Sequence, residues 1–321
     1  MPPLFFEPIL KRIRWGGRRL GTELGKPIGP ETDYAESWEV SDHGEDQSIV
    51  VNGEYAGWTL QKLVAERNQD LFGRHAGRKQ FPLLVKFLDA NDRLSVQVHP
   101  NDEQAKHYDP LENGKTEAWV IVHAEPDSKL YVGLQNGIGP DQLAQHLQAG
   151  TVEEILHTVS VQPGDCVFIP AGTIHAIGEG IVLAEIQQSS DLTFRLYDWG
   201  RLGADGKPRE IHIDSAVHCT NFDMGPVDPV QPIESQSGPH RIEDLVQNDH
   251  FVMRRHTITA GNRGQFITDD RFHVFCVLAG SGELASGPKL NLGTTFLVPA
   301  SCADIEIAAA SELTLLEAFL P

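Results

Sequence analysis

The chain has 321 residues, 40% hydrophobic and 22% charged, with a formal net charge of −19 and an isoelectric point near 5.1. That length holds two ordinary soluble domains or one large one, and the acidic balance excludes a nucleic-acid or anionic-membrane surface, either of which needs a basic stripe. The four cysteines, Cys166, Cys219, Cys276 and Cys302, form no C-x-x-C pair, which argues against a disulfide framework or a thiolate zinc site and for a reducing, cytoplasmic setting.

In chain order, MPPLFFEPILKRIRWGG places an apolar stretch, broken by Glu7 and Pro8, ahead of its basic cluster, the reverse of a secretory signal. No segment approaches the apolar length that spans a bilayer. Apolar residues three and four apart predict helix over 59–73 and again over 139–159. Between them LSVQVHPND (94–102) reads as a strand. Leu94, Val96 and Val98 share one face, and Ser95, Gln97 and His99 share the other. Short runs such as SKLYVGL, DCVFIPA, GIVLAEIQQ, FHVFCVLAG and TTFLVPA, separated by Gly, Pro, Asn and Asp, predict a mainly β fold of sandwich or barrel type with few helices. Residues 225–240, poor in apolar runs and rich in Pro, Ser and Gly, read as a linker.

An internal repeat organises the chain. GDCVFIPAGTIHAI from Gly164 and GTTFLVPASCADIE from Gly293 align at an offset of 129, matching Pro170 with Pro299 and Ala171 with Ala300. His175 becomes Asp304 and Gly172 becomes Ser301, so one copy keeps a candidate ligand that the other lacks. The expectation is two jelly-roll barrels in tandem: residues 1–235 a catalytic, metal-binding barrel with an N-terminal extension and a short helical insertion, residues 236–321 a degenerate barrel without metal ligands.

Candidate ligands come from three separate segments: Gln97 and His99 in VQVHP, Glu117 in GKTEAW, and His175 in PAGTIHA. Imidazole nitrogen with carboxylate and amide oxygen suits a borderline divalent ion such as zinc, and the lack of cysteine points to a catalytic site with an open position. Taken singly, a strand histidine is usually a hydrogen-bonded structural residue, and this chain has 14. The conjunction with Gly-x₅-Pro-x-Gly-x₂-His, from Gly164 to His175, is what singles these residues out.

That spacing resembles the second signature of the cupins, jelly-roll barrels that carry a metal inside. More closely, the chain resembles the type I mannose-6-phosphate isomerases in their short bacterial form. The resemblance runs through WGGRRLG (15–21), AESWEVSDH (35–43), FPLLVKFLDANDRLSVQVHPND (81–102), GKTEAW (114–119), PAGTIHA (170–176) and TFRLYDWGR (193–201). It implies one zinc ion per chain on Gln97, His99, Glu117 and His175. It places Lys86, Ser95 and Lys115 facing a sugar phosphate substrate and Arg195 as the catalytic arginine, and Lys115 is read as its catalytic partner. The implied reaction interconverts mannose 6-phosphate and fructose 6-phosphate through an enediol, in a monomer or homodimer.

Two departures qualify the resemblance. Glu117 and His175 lie only 58 positions apart (175 − 117), so the large helical insertion of the long forms is missing or reduced. Gly114 stands where those forms often carry a histidine, so that residue's role does not transfer. The proton-transferring base stays open among Glu179, Glu185, Asp198, the neighbours of His175, and Lys115, and Arg195 could instead pair with Asp191 or Asp198. Two other readings share the fold: an iron-dependent cupin oxygenase using His99, His175 and Glu117, and a non-catalytic sugar-binding module.

Overall fold

The polar and apolar alternation of the strands is resolved by stacking four of the five antiparallel sheets found among the described residues. The computed structural model describes residues 1–202, 206–285 and 287–321. A six-stranded sheet runs Cys166–Ile169, Glu117–Ala124, Ile181–Gln188, Leu83–Ala90, Tyr34–Val40, Ile9–Gly17. Leu83–Ala90 and Ile181–Gln188 are buried at every position, as expected of inner strands covered on both faces. One face meets a five-stranded sheet, Leu156–Ser160, Lys129–Leu134, His175–Ile177, Val96–Val98, Phe194–Tyr197, through a core of Leu88, Trp119, Ile121, Leu183, Leu130, Val132 and Ile177. This is a two-sheet jelly roll with open edges rather than a closed barrel.

A second two-sheet unit lies behind it. Its eight-stranded sheet packs on the outer face of the six-stranded one, where Val85, Phe87, Ala184 and Ile186 join Met253, Val274, Leu316 and Ala318 in one shared core. A four-stranded sheet closes the far side over Phe275, Phe296, Ile307 and Leu315. The chain's first strand, Leu4–Glu7, pairs with Thr295–Val298 and so belongs to this second unit's sheet, as does Ile49–Val50. Part of the segment read as a linker is also strand, since Ile233–Gln236 forms the exposed edge beside His240–Gln247.

The helical reading over 59–73 holds through its length as two short helices, and that over 139–159 holds in its first half. Thr59 caps Leu60–Glu66 by accepting from the backbone N–H of Lys62 at 3.1 Å, and Asn68–Phe72 follows as a second helix. Pro140–Ala149 stops at Gly150, whose φ of +72° ends the helix. The remainder of the predicted 139–159 helix is a short 3₁₀ turn and the strand Leu156–Ser160.

The repeat found at an offset of 129 is kept in strand register. Ile169 pairs with Glu117, and Val298, the equivalent of Ile169, pairs with His273. Glu185 lies between Lys86 and Trp119, and Glu317 lies likewise between Arg254 and Phe275. The second unit therefore places His273 where the first has Glu117, and Glu317 where it has Glu185. There the groups face one another: His256 Nε2 is 3.0 Å from Glu317 Oε2, and His273 Nδ1 is 2.8 Å from Oε1, all buried. Burial opposes the charge on Glu317, but the two imidazoles overcome it and hold the carboxyl well below its usual range. A depressed carboxyl contributes stability that is full above its unfolded value and is lost as pH falls toward the folded one. Stability is therefore expected to fall below about pH 4.3, and more shallowly in Glu317→Gln. Urea unfolding between pH 6 and pH 3 measures this, and parallel curves would exclude the effect.

Candidate metal centre and substrate cavity

Each facing sheet contributes one inward row. On the five-stranded sheet His175, Gln97 and Arg195 are consecutive cross-strand partners. On the six-stranded sheet Glu117 lies opposite Gln187, and two residues along the strands run Trp119, Glu185, Lys86 and Trp38. Because side chains alternate, the valines beside Gln97 point the other way into the core beneath the helices. The turn before His175 is tight. Gly172 has a φ of +88°, and its N–H donates to the His99 carbonyl at 2.8 Å, tying two ligand-bearing segments together.

The four residues Gln97, His99, Glu117 and His175 converge. Ligand atoms of His99, Glu117 and His175 all lie within 4.8 Å of one another, and among the described residues no other group of His, Cys, Asp and Glu does so. Both imidazoles are held by carbonyls on their outer nitrogen: His99 Nδ1 lies 3.0 Å from Leu192 O, and His175 Nδ1 lies 2.9 Å from Thr173 O. That contact fixes the Nδ1–H tautomer and turns each Nε2 lone pair inward. Glu117 Oε1 is 3.4 Å from His175 Nε2, is buried, and has no hydrogen-bond partner. The Gln97 amide lies 3.3 Å from His175 Nε2, and a half-turn of the amide presents its oxygen there. Two imidazole nitrogens, a carboxylate and an amide around an orphaned buried oxygen fit a divalent ion.

Electrostatics keep both imidazoles free of protons. Burial, then the nearby Lys115 ammonium, lowers His175 to about 4, and the same two causes hold His99 well below its ordinary value. Burial raises Glu117 to about 7, partly offset by Lys115. The Lys115 ammonium sits 3.0 Å from His99 Nε2 and against Glu117 Oε2, so a cation already occupies one side of the cluster.

Beside the cluster, Gln97 and Lys115 open onto a cavity of about 240 Å³ that Trp15, Lys86, Ser95, Arg195 and Arg209 also line. Clefts of about 400 and 390 Å³ elsewhere hold none of the cluster's ligands. Lys86 is buried between Glu36 Oε2 at 3.5 Å and Glu185 Oε1 at 3.4 Å. Burial disfavours its charge, but those carboxylates outweigh burial and leave its pKa above the usual lysine value. Arg195 Nε donates to Ser95 Oγ at 3.2 Å and Nη1 to Glu210 O at 2.8 Å. Among the described residues it has no ion pair with Asp191 or Asp198, the partners considered from sequence.

Of the candidate bases, Glu179 is exposed and does not line the cavity. Asp198 is tied to two arginines, and Glu185 opens onto the cavity while accepting from Trp119 Nε1 at 3.0 Å. Sequence reasoning passed over Trp15, Glu36 and Arg209 as site residues. Glu36 shares its sheet with Lys86, and a charge within a buried strand such as LLVKFLDA was the available signal. Arg209 lies in a loop with no periodicity to read.

A family model described as phosphomannose isomerase type I, catalytic domain, matches residues 4–111. Mannose-6-phosphate isomerase ManA of Bacillus subtilis is 35% identical over 318 residues, 97% of each chain. The chain belongs to the type I phosphomannose isomerase family. A mannose-6-phosphate isomerase of Streptococcus mutans is 41% identical over 300 residues, 92% of each chain. The crystal structure of the B. subtilis mannose 6-phosphate isomerase superposes with a TM-score of 0.90 at 31% identity, covering 99% of both chains. Membership in the phosphomannose isomerase family agrees with the two-sheet units and with a buried His/Glu/His cluster beside a cavity that Gln97 and Lys115 line.

Proposed function

We propose that the chain interconverts mannose 6-phosphate and fructose 6-phosphate through an enediol, with one zinc ion held by Gln97, His99, Glu117 and His175. The observation that carries this reading is a buried His/Glu/His cluster whose neighbours Gln97 and Lys115 line one cavity together with Arg195 and Arg209. Zinc suits a set of imidazole, carboxylate and amide donors without cysteine. When bound, such an ion supplies Lewis acidity toward neighbouring carbonyl and hydroxyl oxygens.

The remaining work falls to the side chains. Proton transfer between adjacent sugar carbons builds negative charge on O1 and O2, and Arg195, fixed by Ser95 and Glu210, stabilises it. Arg195 and Arg209 also offer planar N–H pairs to a phosphate, which an otherwise acidic protein must supply locally. Lys86 and Lys115 are already paired with carboxylates, so they neutralise the floor of the cavity and contact the sugar hydroxyls. Among the carboxylates lining the cavity, Asp191 has no ion pair within the described residues, whereas Glu36 and Glu185 face Lys86, so Asp191 is assigned the proton shuttle. Four free, buried cysteines suit a reducing cytoplasm.

An iron-dependent oxygenase would use the same three ligands; Gln97 as a further donor and the arginine pair favour the isomerase. A coupled assay from mannose 6-phosphate to fructose 6-phosphate tests this. Turnover is expected to vanish on chelation and return with zinc. Oxygen uptake with iron, and no isomerisation with zinc, would overturn it.

A further inference from the structure

Beside the cavity, one carboxylate gathers two guanidinium groups. Asp198, only 4% exposed, accepts from Arg209 Nε on Oδ2 at 2.8 Å and from Arg209 Nη2 on Oδ1. Arg201 Nη2 donates to the same Oδ1 at 2.7 Å, and Arg201 Nη1 reaches Asp92 Oδ2 at 2.9 Å. Arg195 is a third cation close enough to feel the cluster. Burial and then Arg209 lower its pKa, Asp198 raises it, and Arg201 lowers it further. Arg195 and Arg209 line the cavity, and Asp198 and Arg201 do not.

The turn carrying Asp198 is held firmly. Trp199 adopts φ +58°, a conformation uncommon for a bulky residue. Its ring N–H donates to Leu94 O at 2.6 Å, and the Arg93 guanidinium sits 4.1 Å from its centroid. Asp198 thus presents a fixed carboxylate, from outside the cavity, to one side of the Arg209 fork. The bonds to Asp198 engage Nε–H and one Nη2–H, and among the described residues the remaining N–H donors of the planar group bond nothing and can meet an anion.

We propose that Asp198 is a positioning residue for phosphate recognition: it aims the Arg209 fork into the cavity and lets Arg209 and Arg195 share one phosphate. The inference rests on the sugar phosphate reading above. Without the carboxylate, three cations face one another with nothing between them, and Arg209 swings toward solvent, where its charge is better hydrated.

Asp198→Asn keeps the shape and removes the charge. It is expected to weaken binding of inorganic phosphate, measured by calorimetry, about ten-fold, and to raise KM for mannose 6-phosphate far more than it lowers kcat, with metal content unchanged. Arg209→Ala is expected to give the same split, and the double variant Asp198→Asn/Arg209→Ala to be no worse than Arg209→Ala alone. A merely structural Asp198 would lower Tm and leave phosphate affinity and KM of the folded fraction within two-fold; that result, or additive effects of the two substitutions, overturns the inference. Should Asp198→Asn fail to fold, Arg209→Lys decides, because lysine keeps the charge but cannot take the fork. A ten-fold loss of phosphate affinity supports the role, and undiminished affinity overturns it. Wild-type protein that binds phosphate but does not convert mannose 6-phosphate overturns only the isomerase reading. Wild-type protein that converts it without competition from inorganic phosphate overturns only the role of Asp198.

Discussion

Glu117→Gln is expected to lose the bound metal and to lower kcat/KM for mannose 6-phosphate by on the order of 10³-fold, since metal-derived charge stabilisation contributes several kcal/mol. The substitution conserves volume, so the shared core is undisturbed. It removes the only carboxylate in a cluster whose other donors, two imidazoles and an amide, are neutral. It also leaves the Lys115 ammonium, 4% exposed, without its charged partner and facing the His99 lone pair. Both consequences weaken the site for a dication: the attracting charge is gone and a repelling one remains. Metal analysis of the purified variant beside the coupled assay measures the effect. A variant with full metal occupancy would remove Glu117 from the ligand set. His175→Ala is expected to behave in the same way, with a further loss of stability from the space left beside Trp119, whose ring lies 5.4 Å from the imidazole.

Arg195→Ala is expected to leave metal content at the wild-type level and to lower kcat by about 10²- to 10³-fold, the range seen when a single oxyanion-stabilising donor is removed. Its own contacts are a serine hydroxyl and a backbone carbonyl, so its loss strands no buried carboxylate and threatens the fold little. Arg195→Lys should recover only part of the rate, because an ammonium restores charge without the planar pair of N–H donors. Full activity in either variant would show that charge developing on the substrate is met elsewhere. The two experiments separate roles that a single activity loss would confuse: Glu117→Gln removes metal and rate together, Arg195→Ala removes rate alone.

The inverted strand VQVHP was readable because alternation is a local property. Three polar side chains on one face of a strand whose other face is aliphatic need a polar interior, and the structure places Gln97 and His99 on that interior face. The repeat was readable for the same reason: a turn, a strand and a turn recur at one spacing, and the strand register repeats with it. What the pattern could not carry is how separate segments meet. The first strand crosses into the second unit's sheet through pairing with Thr295–Val298, a contact between opposite ends of the chain that no window reveals. Residues 150–160 resemble helix in composition, yet Gly150 ends the helix in a left-handed conformation and the following apolar residues turn into an edge strand.

The site shows the same division. Lys86 and Lys115 were placed only by the family resemblance, and their commitment to Glu36, Glu185 and Glu117 depends on which strands lie side by side. Arg209 lines the cavity while its guanidinium bonds Asp198, eleven residues earlier in the chain. Likewise the second unit's His256–Glu317–His273 set lies on three strands and was hidden by the Asp304 that replaces the equivalent of His175. Side chains that meet through tertiary contacts leave no periodic trace.

The most direct measurement is the X-ray structure of the zinc-loaded protein with anomalous data at the zinc edge. One peak per chain is expected, with ligand distances of about 2.0–2.2 Å to Nε2 of His99, Nε2 of His175 and a Glu117 carboxylate oxygen, with the Gln97 amide turned toward the ion and the cavity open on the side of Arg195. A peak at any other cluster, or zinc bound through Nδ1 with Glu117 turned away, would contradict it.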